Sequence, residues 1–328
     1  MVFKKVIFLL CVPFSFIYFF IVSLRNIFYR LGILRRYKIN AKVISVGNIT
    51  WGGTGKTPVT AFIAGALAGK NQKASILIRG YGNDESELLP KLTLNTPVLV
   101  GKDRVALGRY AVEHHLSDTV ILDDGFQYRR LARDLDIVCV DAVRPFGNGW
   151  AIPAGSLREG LYSLKRADIF LITKADLVSA DKLGRLEKKL KKINPKAVIA
   201  KAIHRPLYLY KLSNEEKVNI GQLQNGKAAL VSAIGSPGCF ERTILRLGLK
   251  VGKHFIFRDH HGYTEGDIAG IGDYCGKNQI DKIITTEKDA VKLKRLAVSD
   301  QWLVLKVRLE IIENEEGFYN RLFGIYDS

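Results

Sequence analysis

A glycine-rich stretch constrains the fold of this chain more than any other feature. Residues 42–58, KVISVGNITWGGTGKTP, place a short β-branched run before a glycine cluster, a Lys-Thr pair and a segment with helical apolar spacing. Backbone N–H groups bared by glycines, backed by a helix N-terminus, cradle an anionic phosphate chain. The alternative is a glycine-rich turn that only starts a helix, but the preceding strand and the Lys-Thr pair favour a phosphate-binding loop. The stretch therefore predicts binding of a nucleoside triphosphate.

The strict pattern G-x-x-x-x-G-K-[ST] is not met, because Thr50 stands where the first glycine belongs. The tighter form G-G-x-G-K-T is met. We expect Lys56 to reach the terminal phosphates and the Thr57 hydroxyl to ligate Mg²⁺. The other predicted nucleotide-binding residues in this stretch are Asn48, Gly52, Gly53, Thr54 and Gly55.

An apolar run that ends in two aspartates predicts the magnesium side of the same site. Residues 119–125, TVILDDG, read as a buried parallel strand whose carboxylates emerge at the carboxyl edge of the sheet. Asp123 and Asp124 are both candidate metal ligands beside Thr57, and the sequence does not choose between them. In a later loop Arg158 is a candidate phosphate clamp, with a surface ion pair to Glu159 as the alternative.

Strand and helix patterns alternate along the chain and predict an α/β fold of the P-loop NTPase type. We expect a mostly parallel sheet with helices on both faces, a smaller C-terminal α/β domain and an N-terminal membrane-associated helix. The predicted boundaries are residues 1–40 for the hydrophobic and basic N-terminal segment, 41–204 for the P-loop core, 205–227 for a linker with short strands, and 228–328 for the C-terminal domain.

The N-terminal segment predicts contact with a membrane. Val6–Leu24 is uncharged and rich in aromatic residues, and the first 40 residues carry seven Lys or Arg residues and no acidic one. A spanning helix, an in-plane anchor, a signal peptide and a buried core helix all fit such a run; the basic continuation after Leu24 favours an anchor at an anionic membrane surface. The chain has a net charge of +18 but no nucleic-acid-binding signature, so we expect no nucleic-acid partner. Its four cysteines form no C-x-x-C pair, which argues against a zinc site and a disulfide framework.

Three further positions carry chemistry in the sequence. Asp84 follows a strand and a glycine turn, where catalytic groups of α/β sheets lie, although a solvated loop is the plainer interpretation. His260 follows a strand beside an Asp and precedes a helix, which is compatible with a catalytic or phosphate-contacting role. Residues 173–176, T-K-A-D, are similar to the guanine-reading N-K-x-D loop of GTPases but lack its Asn, so GTP stays an alternative to ATP.

Taken together, the motifs resemble those of the tetraacyldisaccharide 4′-kinase family of lipid A biosynthesis. In chain order they are G-N-x-x-x-G-G-T-G-K-T-P (47–58), R-G-Y-G (79–82), D-D-G-F-Q (123–127), F-G-N-G-W (146–150), I-P-A-G-x-L-R-E (152–159), D-H-H-x-Y (259–263) and T-T-E-K-D-A-V-K-L (285–293). The resemblance covers essentially the whole chain. It implies an ATP- and Mg²⁺-dependent kinase of an acylated disaccharide lipid, bound to the cytoplasmic face of a bacterial inner membrane.

The resemblance also implies roles for individual residues. Lys56 and Thr57 take the P-loop positions, Asp123 and Asp124 the acidic pair, and Arg158 the phosphate-region arginine. An Asp–His pair activates the acceptor hydroxyl in this family; Asp84 is the nearest match to the Asp, and His260 matches the His, which we expect to orient Asp84 across a domain cleft.

Three departures from the family pattern qualify these roles. In this family the catalytic Asp lies in a G-D-E-P motif after R-G-Y-G. The nearest match here is Asn83–Ser86, which is imperfect and lies unusually close to R-G-Y-G. Tyr128 replaces a common His after D-G-F-Q, and Ser156 replaces a common Pro before Leu157. The chain therefore matches the family motif at Lys56 and departs from it around Asp84.

Overall fold

The computed structural model describes residues 2–80, 83–93, 96–219, 221, 226–296 and 299–327; side chains are described from Phe8 onward and, in the helix over 83–92, from Ser86. The helices are α1 (Val2–Arg30), α2 (Lys56–Ala68), α3 (Asn83–Leu92), α4 (Arg104–Glu113), α5 (Ala180–Ile193), α6 (Pro237–Arg246), α7 (Glu265–Lys277), α8 (Glu287–Leu293) and α9 (Glu315–Phe323). The strands are β1 (Lys42–Gly47), β2 (Ala74–Ile78), β3 (Val98–Val100), β4 (Thr119–Asp123), β5 (Leu135–Asp141), β6 (Ile169–Thr173), β7 (Val198–Lys211), β8 (Lys217–Val218), β9 (Lys227–Ser232), β10 (Lys250–Ile256), β11 (Lys282–Thr286) and β12 (Trp302–Glu313).

The chain divides into two compact units. The first comprises residues 1–80, 93–203 and 310–328, and the second comprises residues 81–92 and 204–309. This division differs from the predicted boundaries: residues 1–40 and the chain end carrying α9 cluster with the first unit, and residues 205–227 and α3 cluster with the second. The chain thus leaves the first unit after Gly80 and again within β7, and it returns at Thr93 and within β12.

The first unit is built on a parallel sheet in the order β7-β6-β5-β1-β4-β2-β3. Strands β1, β4, β5 and β6 are buried along nearly their whole length, as expected of central parallel strands covered on both faces. The register pairs Val46 of β1 with Asp123 of β4. Because the two strands end side by side, the glycine-rich loop after β1 and the acidic pair after β4 meet at the carboxyl edge of the sheet.

Helices cover both faces of this sheet. Val120 and Leu122 of β4 point to the face covered by α4, and Val138 and Val140 of β5 continue that face beneath α5. Side chains alternate along a strand, so Asp123 points to the opposite face, where Thr60 of α2 donates a hydrogen bond to it at 2.8 Å. On that face α2 contacts α9 through the rings of Phe62 and Phe318, whose centroids lie 6.1 Å apart.

The second unit contains the parallel strands β10-β9-β11-β12, in that order. Neighbouring residues of β11 face opposite sides: Ile283 packs in a cluster with residues of α7 and α8, whereas Ile284 packs in a cluster with residues of α6. The predicted linker region holds the end of β7 and the short antiparallel partner β8. Strands followed by helices on both faces make this unit a small α/β domain.

Helix α1 presents its polar side to the protein and its apolar side outward. The residues buried against the first unit are Ser15, Val22 and Asn26. Large apolar side chains on the rest of the helix are mostly exposed, and include Leu9, Leu10, Phe14, Phe16, Ile17, Phe20, Ile21 and Ile27. Within the described part of the chain, α1 alone is long and apolar enough to cross a membrane. The reversed pattern contradicts the alternative of a buried core helix, whose apolar face would pack inward.

The predicted fold class, a mostly parallel α/β sheet of the P-loop type preceded by an apolar helix, is confirmed. The solvated loop considered for Asp84 and Glu85 is wrong at the backbone level, because residues 83–92 form α3. The start of α3 was not predicted, because the glycine turn directly before it, with Tyr81 and Gly82, shows no helical periodicity. Both of these residues lie outside the described part of the chain. Strand β12 and helix α9 were not predicted.

Candidate active site

The loop after β1 has the backbone conformation that its glycines were expected to permit. Gly52 has φ +118° and Gly55 has φ +83°, both in the region that favours glycine. The N–H of Thr54 donates to the Gly52 carbonyl at 3.0 Å, and α2 begins at Lys56 directly after Gly55. Gly47 is required for another reason: a Cβ there would lie 2.6 Å from the Cβ and N of Phe126. The loop thus leads into a helix N-terminus, as a phosphate cradle requires.

Asn48 holds the two sides of this loop together. Its Nδ2 donates to Thr54 Oγ1 at 2.8 Å, and its Oδ1 accepts from Arg158 Nη1 at 3.3 Å. Its backbone carbonyl accepts from Gln127 Nε2 at 2.8 Å. Asn48 is fully buried, so the geometry gives it a supporting role, and direct contact with a nucleotide stays a prediction.

The carboxyl end of β6 supports the loop from the other side. Thr173 Oγ1 donates to the Thr54 carbonyl at 2.9 Å, and Lys174 Nζ donates to the Gly53 carbonyl at 2.8 Å. Lys174 also pairs with Asp141 at 2.5 Å, and both side chains are nearly buried. The lysine of the T-K-A-D segment is therefore part of the loop's scaffold, and base recognition by Asp176 stays a prediction.

Arg158 reaches the loop because its segment pairs with the residues that precede the glycines. The N–H of Trp51 donates to the Ser156 carbonyl at 2.6 Å, and the N–H of Arg158 donates to the Ile49 carbonyl at 2.7 Å. The side chain then pairs with Asp124, with Nη1 at 2.6 Å from Oδ1. The alternative of a surface ion pair between Arg158 and Glu159 is wrong, because Glu159 is buried and pairs elsewhere.

Asp124 is the anion on which the cations of the site converge. Lys56 Nζ lies 3.6 Å from its Oδ1, beside Arg158, and Arg104 Nη1 donates to its backbone carbonyl at 3.2 Å. Burial by itself raises the pKa of this carboxyl, but Lys56 and Arg158 outweigh burial and lower its pKa to about 2. Asp124 has φ +51°, which turns its side chain out of the strand and toward these cations.

Asp123 occupies a different environment from its neighbour. Its side chain is buried and accepts the Thr60 hydrogen bond; burial raises the pKa of its carboxyl, and the Thr60 bond and Lys56 oppose that rise. Thr57, partly exposed in the first turn of α2, supplies a hydroxyl on the same edge. Hydroxyl and carboxylate oxygens suit Mg²⁺, which binds one or two protein carboxylates and keeps its other positions for phosphate and water. The described residues contain no cluster of three or more His, Cys, Asp or Glu side chains that could hold a metal alone.

Helix α1 is fastened to the segment that carries Arg158. Tyr18 donates from its hydroxyl to the Arg158 carbonyl at 3.0 Å. Ser15 Oγ donates to the Ala151 carbonyl and accepts from the Ala154 N–H, both at 2.9 Å. Glu159 accepts from Arg25 at 3.2 Å, from Asn26 at 3.1 Å and from Arg166 at 2.9 Å. These contacts satisfy a buried carboxylate and join the apolar helix to the phosphate site.

His260 and Asp84 both belong to the second unit. His260 has φ +63° and a side chain that is 42 % exposed; its Nε2 lies 3.4 Å from Lys288 Nζ, which also donates to Asp259 at 3.1 Å. Its neighbour His261 instead bonds to Asp267 at 3.0 Å and stacks on Phe257. The backbone of Asp84 lies in α3, but its side chain is outside the described residues, so an Asp84–His260 contact stays a prediction. Because both residues belong to the second unit, we expect this contact within one unit and not across a domain cleft.

Sequence reasoning missed several residues that shape the site. Thr60, Tyr18, Arg104 and Lys174 make the contacts given above, and none of them stands in a pattern that predicts such a partner. Tyr128, which departs from the family pattern, lies under the Arg104 guanidinium at 5.3 Å from ring centroid to Cζ and contacts Asp103 at 3.4 Å. A helix spacing or a strand pattern gives a side chain its face, but its partner comes from another element.

A parallel α/β sheet with a glycine-rich loop at its carboxyl edge, two converging cations and a neighbouring acidic pair defines a P-loop phosphotransferase or NTPase. The family model described as tetraacyldisaccharide-1-P 4′-kinase matches residues 7–91 and 83–325. The chain therefore belongs to the tetraacyldisaccharide 4′-kinase family.

Individual relatives agree with this assignment. The chain is 35% identical over 328 residues to a tetraacyldisaccharide 4′-kinase of Bdellovibrio bacteriovorus, covering 92% of this chain and 94% of the relative. It is 36% identical over 312 residues to one of Halothermothrix orenii, covering 85% of this chain and 81% of the relative. A crystal structure of LpxK from Aquifex aeolicus in complex with ATP superposes with a TM-score of 0.72 at 27% identity, over 96% of this chain and 98% of that chain.

Proposed function

We propose that this protein transfers the γ-phosphate of ATP to the 4′-hydroxyl of a tetraacyl glucosamine disaccharide 1-phosphate at a membrane surface. The observation that carries the proposal is the convergence of Lys56 and Arg158 on Asp124 at the mouth of the glycine-rich loop. Two cations held at the mouth of the loop are positioned to bind the anionic phosphate chain of ATP. The identity of the acceptor is inferred from the family to which the chain belongs. Thr57 and Asp123 or Asp124 would hold Mg²⁺, which would neutralise part of the charge of the triphosphate.

Lys56 and Arg158 exchange partners when ATP binds. Without a nucleotide, Asp124 balances their charge; with one, the γ-phosphate oxygens take over a share of both cations. Phosphoryl transfer leaves little covalent chemistry to the protein, so positioning and stabilisation of the equatorial oxygens supply most of the rate. Arg158 offers a planar, multiply donating guanidinium for this purpose, and Lys56 a point charge.

The acceptor hydroxyl needs a base, and Asp84 with His260 is our candidate pair. Asp84 accepts the proton as the sugar oxygen attacks in line, and His260 orients Asp84. The support is the family motif at His260 and its nearest match at Asp84, their place in one compact unit, and the accessible side chain of His260.

Helix α1 holds the enzyme at the lipid acceptor. Its polar side is fastened to the first unit from Ser15 to Asn26, so a helix that runs alone across the bilayer is disfavoured and an anchor lying in the interface is favoured. The basic residues between Arg25 and Lys38 suit the anionic cytoplasmic leaflet. We therefore place the protein on the cytoplasmic face of a bacterial inner membrane, with an acylated disaccharide lipid and an anionic membrane surface, and no nucleic acid, as its partners.

The first experiment measures transfer of labelled γ-phosphate from ATP to a tetraacyl disaccharide 1-phosphate in detergent micelles. Wild type is compared with Lys56→Ala and with Lys102→Ala, a matched loss of an exposed lysine in a loop of the same unit. We expect labelled lipid from wild type and Lys102→Ala and none from Lys56→Ala. Labelled lipid from Lys56→Ala refutes the assignment of the loop.

Two rival functions are separated by the same assay. A nucleotide-gated membrane regulator hydrolyses nucleotide at the same rate with or without the lipid, whereas a kinase is nearly silent until the acceptor is added. Replacing ATP by GTP tests the T-K-A-D segment: equal transfer from GTP favours a P-loop kinase with guanine recognition or with no base preference. Transfer to a different membrane-linked acceptor, and none to the disaccharide, overturns the proposed substrate.

A further inference from the structure

A small cavity lined by arginines lies beside the C-terminal end of α1. Its volume is about 200 Å³, and its lining includes Arg36, Arg129, Arg133, Arg166 and Asp136. These residues precede β1, β5 and β6 or lie at their beginnings, so the cavity is at the amino edge of the sheet. The glycine-rich loop follows β1 at the carboxyl edge, and none of its residues lines the cavity. Arg133 lies between the two places, because its Nη2 donates to the carbonyl of Gly125, next to Asp124, at 2.9 Å.

The positive charge around the cavity exceeds the negative charge. Arg133 pairs with Asp136 at 3.3 Å, and Arg166 shares Glu159 with Arg25. Arg129 is buried and donates only to the backbone and side-chain oxygens of Asn26, at 3.0 and 3.2 Å; it pairs with no carboxylate of the described residues. Together with Arg36, these arginines bring five guanidinium groups to the two carboxylates of Asp136 and Glu159.

Tyr29 of α1 contacts Arg129 and Arg36, the two lining arginines for which no carboxylate partner is found among the described residues. The Arg129 guanidinium lies over its ring at 5.2 Å, the Arg36 guanidinium lies over it at 6.0 Å, and Arg36 also donates to its carbonyl at 3.0 Å. Burial, followed by repulsion from Arg166, Arg36 and Arg133, lowers the pKa of Arg129 to about 10. The arrangement holds like charges together, which costs free energy unless an anion compensates them.

Donor groups remain available for such an anion. The Nε atoms of Arg133 and Arg166 are buried and have no hydrogen-bond partner within the described part of the chain, and the same holds for Oδ1 of Asp136. Buried polar groups normally have a partner, so each exception needs an explanation, and a bound anion supplies one for the two Nε atoms. A cavity of this size accommodates a phosphate group, and arginine is the side chain best suited to bind one with two parallel hydrogen bonds.

Exposed apolar side chains lie close in the chain to Arg36, which lines the cavity. Arg36 follows a short turn after α1, and three apolar side chains of the last turn of α1 and of this connection are exposed: Ile27 by 48%, Leu31 by 67% and Ile33 by 63%. A phosphate-binding cavity with exposed aliphatic side chains nearby suits a lipid, whose head group is anionic and whose chains are apolar. A free inorganic anion would contact only the arginines and leave the apolar side chains exposed.

We propose that this arginine cavity binds the phosphate group of an anionic membrane phospholipid. The inference rests on the proposed membrane contact of α1 for the source of the phosphate, but the cavity's need for an anion does not depend on phosphate transfer. The bound lipid fixes the C-terminal half of α1 against the first unit, because the arginines that line the cavity also hold this helix. Arg129 donates to Asn26 of α1, and Arg166 donates to Glu159, which accepts from Asn26.

The test measures lipid retained by the full chain in a neutral detergent, by native mass spectrometry, with the glycine-rich loop filled by a non-hydrolysable ATP analogue and Mg²⁺. Phosphatidylglycerol, zwitterionic phosphatidylcholine and inorganic phosphate are titrated separately. The variants are Arg36→Gln, exposed and so safe for folding, Arg129→Lys, which keeps the charge but loses the planar fork, and Arg35→Gln as the matched control on the same connection.

We expect one phosphatidylglycerol per chain, about tenfold weaker binding in Arg36→Gln and Arg129→Lys, and wild-type binding in Arg35→Gln. Equal retention by wild type and Arg36→Gln overturns the proposal, and so does binding of inorganic phosphate as tight as that of phosphatidylglycerol, which removes the lipid as occupant. Transfer of phosphate to the disaccharide is measured on the same samples. Transfer without Arg36-dependent lipid binding overturns this inference alone, and Arg36-dependent lipid binding without transfer overturns only the proposed function.

Discussion

The hydroxyl of Tyr18 donates a hydrogen bond to the carbonyl oxygen of Arg158 across 3.0 Å. One side chain of the apolar helix thereby contacts the residue whose guanidinium pairs with Asp124 at the glycine-rich loop. The buried Glu159, next in the chain, is held by Arg25 and Asn26 of the same helix. The element that meets the lipid and the element that meets the phosphate are therefore one packed assembly, and α1 is more than a tether.

Removing this hydroxyl should slow phosphate transfer. We expect Tyr18→Phe to lower kcat by a few-fold, since the lost hydrogen bond contributes about 1 kcal/mol and loosens the segment that positions Arg158. Sedimentation with vesicles should not change, because the ring stays. Tyr162→Phe, at an exposed tyrosine near the same segment, is the control. An unchanged kcat in Tyr18→Phe means that α1 anchors the enzyme without positioning Arg158.

Asp124 competes with the nucleotide for Lys56 and Arg158. Asp124→Asn should therefore bind ATP more tightly than wild type in EDTA, where no metal requires the carboxylate, by about tenfold for one charged contact removed. Its kcat with Mg²⁺ should fall by at least about a hundredfold. Isothermal titration with and without Mg²⁺ measures the first effect, and Asp134→Asn, outside the site, is the control. Weaker metal-free ATP binding by Asp124→Asn contradicts the exchange of partners.

The lowered pKa of Asp124 predicts how the ion pairs respond to acid. A carboxyl with a pKa of about 2 in the folded protein and an ordinary value near 3.9 in the unfolded chain stabilises the fold above about pH 4 and loses that contribution as the pH falls toward 2. The unfolding temperatures of wild type and Asp124→Asn should therefore differ by a constant amount between pH 7 and pH 5. The difference should shrink below pH 4. A difference that already disappears between pH 7 and pH 5 contradicts the lowered pKa.

His260 and Asp84 should matter for the acceptor and not for ATP. His260→Asn and Asp84→Asn are expected to lower kcat by about a hundredfold or more while leaving the Kd of Mg·ATP within about twofold. Asn tolerates the left-handed backbone of His260. The matched control is His115→Asn, because His115 is also exposed and has φ +52°. A wild-type kcat in Asp84→Asn moves the base to another residue.

The exposed apolar face of α1 should provide most of the membrane affinity. Phe20 is 67% exposed, and Phe20→Glu removes about 2 kcal/mol of apolar burial and adds a charge that must stay in water. We expect at least about tenfold less protein on phosphatidylglycerol vesicles. Leu245→Glu, a half-exposed leucine of α6 in the second unit, should bind like wild type. Equal loss in both variants indicates unfolding or a general charge effect.

The amino-acid sequence was sufficient to predict the phosphate loop, the acidic pair, the order of strands and helices in the core, and the apolar N-terminal helix. Each of these features depends on a local sequence pattern: apolar runs in buried strands, helical spacing of apolar residues, or glycines at positions that need a positive φ. Gly52, Gly55 and Lys56 could be placed from neighbouring residues alone, because a phosphate loop is a local structure.

Which side chains contact each other could be read only from the folded chain. The tertiary structure paired Arg158 with Asp124 and not with Glu159, it gave Asp123 to Thr60, and it turned the polar side of α1 toward the protein. It also placed α3 with the second unit, although α3 lies between two strands of the first. The physical reason is the same in each case: a partner on another element depends on sheet register and helix packing, which join residues far apart in the chain and leave no periodic trace in either segment.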